Sequence, residues 1–249
     1  MKILDVLLDS LSSTDHDVLE VRCCAFWTAV TTRHTGLSTT YRALDGEADT
    51  HQSGVRDVGD LTQKKAFELA EFALSGNTLE ASIGIATINS LLDVDESRCI
   101  DLNAYDVLAD RGRNRQIAVV GHFPFVPKLR KVARKLWVIE KRVRPGDLPE
   151  SEADRILPQC DVVWLTGTSF INHTIEELLS LCRGSFVVLT GPTSPLTPLL
   201  FDYGIDVICG TRVIDSEEML RYISQAATFR QLHGHGVRLL TLAREASSN

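Results

Sequence analysis

Between Gln116 and Gly210 the chain repeats one rhythm: an apolar run of strand length, a turn, then a segment of helix length. The runs are QIAVVG, LWVIE, DVVWLT, SFVVLTG and IDVICG. The intervening segments are VPKLRKVARK, ESEADRIL, HTIEELLSL and PLTPLLFDYG, and DSEEMLRYISQA follows the last run. A strand that is apolar on both faces must be covered on both faces, and parallel strands need crossovers long enough to carry a helix. The pattern predicts an α/β fold, a Rossmann-like parallel sheet, over residues 112–249.

Residues 1–111 have a different rhythm and are expected to form a smaller α+β domain. Ile3, Leu4, Leu7, Leu8 and Leu11 share one helical face. DVLEVRCCAFWTAVTTR and GLSTTYR supply three extended runs, and LTQKKAFELAEFALSG spaces Ala66, Leu69, Ala70, Ala73 and Leu74 along a helix that stops at Gly76. Asn77, with Glu80 three residues on, is placed to cap the next helix, TLEASIGIATINSLL. Gly84 stands inside that helix, where glycine costs roughly 1 kcal/mol relative to alanine. The residues alone favour tight helix packing there, with Asn89 turned to water.

A chain of 249 residues with 44% hydrophobic content can bury a large core, while a formal net charge of -7 repels a phosphate backbone. Nucleic acid is therefore not expected as a partner, and a small molecule is. Asp5 and Asp9 break the only leader-like stretch, and no apolar run is long enough to cross a bilayer, so no membrane partner is expected. The six cysteines have no CxxC spacing, which fits reduced thiols in a cytoplasmic protein. A homo-oligomer is compatible with this composition.

In open parallel sheets ligands bind beyond the carboxyl ends of the strands, near the point where strand order reverses. The turns there are GHFPF (121–125), Glu140, TGTSFINHT (166–174), GPTSP (191–195) and CGTR (209–212). Glu140 ends the second run where a nucleotide-binding unit carries an acid for ribose, yet His122, Phe123 and Phe125 stand where GxGxxG would bring glycines to a pyrophosphate. Tight NAD binding is disfavoured, and the aromatic rings suit a flat heterocycle. Asn172 is the expected N-cap of HTIEELL, which leaves Thr166, Gly167, Thr168 and Thr174 as polar or small rim candidates. Gly191, Pro192 and Ser194 repeat the theme after the next run, and Gly121, Phe123 and Pro124 complete the rim.

Other motifs carry less. GVRDVGD (54–60) has Asp60 in place of the P-loop lysine, and His233 and His235 form a pair without a visible third ligand. Lys128, Arg130, Lys131, Arg134 and Lys135 read as a solvated helix face.

The segments SIGIATINSLL (82–92), VVGHFPFV (119–126), VIEKR (138–142), LPQCDVVWLTGTSFINHTIEELL (157–179), TGPTSPLTPLLFDYGIDVICG (190–210) and GLSTTY (36–41) resemble the heavy-metal chelation family that carries domain of unknown function 364. The resemblance implies an N-terminal part similar to the enolase N-terminal domain, a Rossmann-like part, and a site between them. It would bring Asn89 and Gly84 toward His122, Glu140, Thr168 and Asn172. It also implies a role in metal chelation, or in condensation or hydrolysis during synthesis of pterin-, flavin- or siderophore-like molecules.

These readings converge on a site for a polar heterocycle or metal-chelating metabolite, with His122 and Glu140 as acid/base groups. The alternatives are a non-catalytic metal or metallophore carrier and a nucleotide- or S-adenosylmethionine-dependent enzyme. The cofactor is open, a divalent metal or metal chelate being the candidate. Hydroxyls with one carboxylate suit hard cations or organic ligands better than zinc or copper, and no residue is assigned as a metal ligand.

Overall fold

A computed structural model of the chain describes residues 2–13, 16–41, 54–100 and 110–245. Helix α1 (Ile3–Leu11) buries the five apolar residues that its spacing singles out. Strands β1 (Glu20–Cys23), β2 (Trp27–Thr31) and β3 (Thr35–Thr39) form an antiparallel meander in that order. Helix α2 (Ala66–Ala70) runs into a 3₁₀ turn, Glu71–Leu74. The tighter winding swings Leu74 out of the expected face, leaving it 48% exposed, while Ala66, Leu69, Ala70 and Ala73 stay buried.

Helix α3 (Thr78–Leu91) starts where Asn77 Oδ1 accepts the Leu79 and Glu80 amides at 3.0 and 3.4 Å. Glu80 does not complete a capping box. Its carboxylate accepts the backbone N–H and guanidinium of Arg56 and the hydroxyl of Ser75. The helix is buried almost all round, and Gly84 meets the preceding turn so closely that a Cβ would lie 1.9 Å from the Ala73 nitrogen. Helix packing, not a ligand, accounts for that glycine.

All five expected parallel strands form: β5 (Gln116–Val120), β6 (Lys135–Ile139), β7 (Val162–Thr166), β8 (Phe186–Thr190) and β9 (Val207–Val213). With β4 (Cys99–Ile100) and β10 (Val237–Ala243) they form a seven-stranded sheet of order β4-β10-β9-β8-β7-β5-β6. Strand β10 pairs antiparallel with β9, and β4 pairs antiparallel with β10. The architecture is a mostly parallel α/β sheet beside a separate small antiparallel sheet.

The crossovers are shorter than their sequence patterns suggest. VPKLRKVARK yields only α4 (Val126–Leu129), and ESEADRIL yields α5 (Ala153–Ile156) between two 3₁₀ turns. α6 (Ile175–Ser180) keeps most of its pattern, whereas PLTPLLFDYG is 3₁₀ from Pro198 to Tyr203. Pro127, Pro158, Pro195 and Pro198 remove helix donors in or beside these segments. α7 (Ser216–Ser224) is a full amphipathic helix.

One apolar core joins the two halves. Ala118, Val163, Leu165, Leu189 and Ile208, on one sheet face, share a cluster with α1, α2 and α3. Trp164, Ile117, Val119 and Val188 on the other face pack beneath α4 and Phe125. Polar ties reinforce the junction: Ile3 N–H donates to Glu176 at 2.6 Å, and Trp27 Nε1–H donates to the Ala227 carbonyl at 2.8 Å.

Candidate functional site

Among the five parallel strands, strand order reverses between β5 and β7. The loops leaving β5, β6 and β7 at their carboxyl ends border a cleft of about 450 Å³. Two loops of the N-terminal half complete its wall, Ala25–Phe26 between β1 and β2 and Thr39–Tyr41 at the end of β3.

Gly121, His122, Phe123, Glu140, Thr166, Thr168, Asn172 and Thr174 all line this cleft. Phe123 is stacked on Phe125 with centroids 5.1 Å apart and tilted on Trp164 at 5.5 Å, so one ring edge is anchored by the core. Phe26, 46% exposed, supplies a second ring from the N-terminal half. Glu140 Oε1 accepts the Lys141 amide at 2.9 Å, while Lys141 Nζ reaches Glu150 at 3.3 Å. Arg142 and Glu150 share the mouth, so the cleft presents both signs of charge.

The TGTSFINHT turn is held by its own side chains. Thr166 and Thr168 hydroxyls lie 3.0 Å apart, Ser169 Oγ–H donates to the Thr166 carbonyl at 2.7 Å, and Thr174 Oγ1–H donates to Asn172 Oδ1 at 2.8 Å. Asn172 is not the helix N-cap. α6 begins after Thr174, and Asn172 forms a local turn onto the Thr174 amide at 3.3 Å.

Six expected rim residues lie outside the cleft. Pro124 is exposed beside it. Gly191, Pro192 and Ser194 belong to a turn packed on the N-terminal half, and Gly167 is buried against that turn: a Cβ there would meet Ser194 Oγ at 2.6 Å and its nitrogen at 2.7 Å. Asn89 is not turned to water either. Its Nδ2 donates to the carbonyls of Leu37 at 3.0 Å and Pro192 at 3.4 Å, joining α3 to both halves. It ties α3 to β3 and to the turn after β8, while its Oδ1 is buried without a hydrogen-bond partner among the described residues.

Sequence reasoning missed Asp147. Pro145 and Gly146 form a tight turn in which Asp147 N–H donates to the Arg144 carbonyl at 2.9 Å, and Leu148 then bridges to Ile139 at the end of β6. The turn carries the Asp147 carboxylate back to His122, with Oδ2 3.3 Å from Nδ1. The Asp147 side chain is 3% exposed and that of His122 is 29% exposed. The Pro-Gly pair is a visible turn signal, but its partner strand is not local.

With this geometry in place, the sequence profile of DUF364, described as "Putative heavy-metal chelation", matches residues 103–241. The chain belongs to this family. A second profile with the same description, DUF4213, matches residues 4–92. An uncharacterized protein of Methanocaldococcus jannaschii is 28% identical over 173 residues, covering 66% of this chain and 67% of that protein. Crystal structures of family proteins of unknown function from Desulfitobacterium hafniense and Pyrococcus horikoshii superpose with TM-scores of 0.83 and 0.80. They are 24% and 19% identical, each covering 97% of this chain and 98% of its own, and they establish the fold.

Among the described residues no three His, Cys, Asp or Glu side chains are grouped to hold a metal ion. Burial, with Asp161 adding to it, pushes the Cys160 thiol up to about 12, and burial, with Cys160 adding to it, does the same for Cys182. Both remain protonated at neutral pH and are poor metal donors. His235 is taken up by Glu218 at 3.2 Å and by stacking on Tyr222. Among the described residues no helix is long and apolar enough to cross a membrane.

Proposed function

We propose that the cleft binds a small, polar, flat metabolite of the metal-chelating class and that His122 and Glu140 exchange protons with it. The observation that carries this reading is the composition of one cavity. Aromatic surfaces from Phe26 and Phe123 face a cleft that also holds hydroxyls, an amide and side chains of both charges. Rings suit a planar body, and the polar groups fix its orientation. The family's link to metal enters through the ligand, because among the described residues no three His, Cys, Asp or Glu side chains come together to hold an ion. The donors at the cleft, His122 with hydroxyls and carboxylates, suit an organic chelator or a hard cation that it carries.

Native mass spectrometry with elemental analysis of freshly purified protein tests this directly. The expected result is one small molecule per chain, with or without a metal, lost in Phe26→Ala and Glu140→Gln. Thermal-shift titration against pterins, flavins and ferric hydroxamate or catecholate chelates extends the test. A compound at a hundred times its dissociation constant stabilises the fold by about 2.7 kcal/mol. NAD(P) and S-adenosylmethionine belong in the same panel as controls. No retained molecule and no shift with the chelators and heterocycles removes the proposal, and a shift with the nucleotides alone replaces it.

A further inference from the structure

We propose that Asp147 is a positioning residue that fixes the tautomer of His122, so that Nε2 is the proton acceptor of the cleft. The inference deepens the reading of the cleft and rests on it for the proton donor, a ligand N–H or O–H.

The argument begins with the carboxylate. At 3% exposure Asp147 has given up nearly all its water, and a buried carboxylate without a cation or donors is strongly disfavoured. Among the described residues its partners are the Arg144 amide, which donates to Oδ2 at 3.2 Å, and His122, the one basic side chain within ion-pair reach. Nδ1 lies 3.3 Å from Oδ2 without the alignment of a hydrogen bond, and at that distance a proton on Nδ1 is favoured over a lone pair facing the carboxylate. With that proton in place, the neutral ring has its lone pair on Nε2. Among the described residues Nε2 makes no hydrogen bond, and His122 lines the cleft.

The proton count closes. Nε2 takes one proton from the bound molecule, which keeps the electron pair of the broken N–H or O–H bond. The imidazolium then faces a full negative charge on Asp147, so the pair passes from one net negative charge to none. The present Nδ1 to Oδ2 separation of 3.3 Å is long for a charge-assisted bond and is expected to shorten as the ring becomes cationic. Glu140, the other proton-exchanging group proposed for the cleft, has one carboxylate oxygen engaged by its neighbour's amide.

The test is ¹⁵N NMR of the histidine rings in the full-length protein without ligand, with His122 assigned by its loss in His122→Ala. The expected result is that the neutral form of His122 carries its proton on Nδ1. Asp147→Asn is expected to shift it toward the Nε2-protonated form, because the carboxamide offers an N–H, while the amide spectrum of the fold persists. Neutral His122 protonated on Nε2 in the unaltered protein overturns the inference. So does an unchanged tautomer in a folded Asp147→Asn. If that variant does not fold, the tautomer of the unaltered protein decides alone. None of these readings needs a ligand, so failure here leaves the cleft's binding role to its own test.

Discussion

Two hydroxyl-rich turns leave neighbouring strands, TGTS at the end of β7 and GPTS after β8, and they read alike as sequence. In the fold they do opposite things. Thr166 and Thr168 are half-buried on the wall of the cleft. Thr193 and Ser194 are 1% and 2% exposed, pressed between β3 and Gly167. Thr193 Oγ1 accepts the Thr39 amide at 3.0 Å and lies 3.1 Å from the Thr39 hydroxyl. What separates them is position: β7 borders the point where strand order reverses and neighbouring loops diverge, whereas the turn after β8 is covered by the N-terminal sheet. Hydroxyl content marks a turn that must satisfy polar groups. Topology decides whether they face a cleft or are pressed against another part of the chain.

The comparison breaks hardest at the contact between the turns. Gly167→Val places a Cβ within 2.7 Å of the Ser194 backbone nitrogen, which cannot swing away as a flexible side chain would. A loss of about 3 kcal/mol in urea unfolding is expected, the upper range for overpacking a buried site. A loss below about 1 kcal/mol would mean that the two turns are not packed as described. Thr193→Val comes next. It preserves shape but leaves the Thr39 amide without its acceptor, and a loss of about 1–2 kcal/mol is expected in the same measurement. Little change would place GPTS among the solvated turns.

How far each region could be read from sequence follows from the range of the interactions that define it. The five parallel strands were legible because a buried strand writes a continuous apolar run into adjacent residues. Strand β10, with Arg238 and Thr241 among its apolar positions, carries no such run, and its place depends on a partner, β9. The crossovers are shorter than their helical spacing implies because Pro127 and Pro198 remove donors within them. At the cleft, the placing of His122, Glu140, Thr166 and Thr168 beside one another was legible because strand ends are local features. That of Phe26 and Tyr41 was not, since they arrive from the other half of the chain. Asp147 depends on a Pro-Gly turn folding back onto β6, and Asn89 on carbonyls of Leu37 and Pro192 that only the assembled fold supplies.

The mildest substitution sharpens the contrast most. Thr168→Ala removes a hydroxyl from the cleft wall whose bond is to its neighbour Thr166 at 3.0 Å, and the Thr166 oxygen retains the Thr168 amide at 3.3 Å. Because the site is half-buried and no donor is stranded without water, unfolding stability is expected to fall by no more than about 0.5 kcal/mol. Affinity for whichever panel compound gives the largest thermal shift is expected to fall about ten-fold, equivalent to about 1.4 kcal/mol. Thr193→Val should show the reverse: a clear loss of stability and, in the protein that remains folded, an affinity within about two-fold of the unaltered chain, since Thr193 does not line the cleft. If the two variants instead lose affinity and stability in the same proportion, the turns form one cooperative unit, and ligand binding is coupled to the junction between the halves instead of residing in the cleft wall.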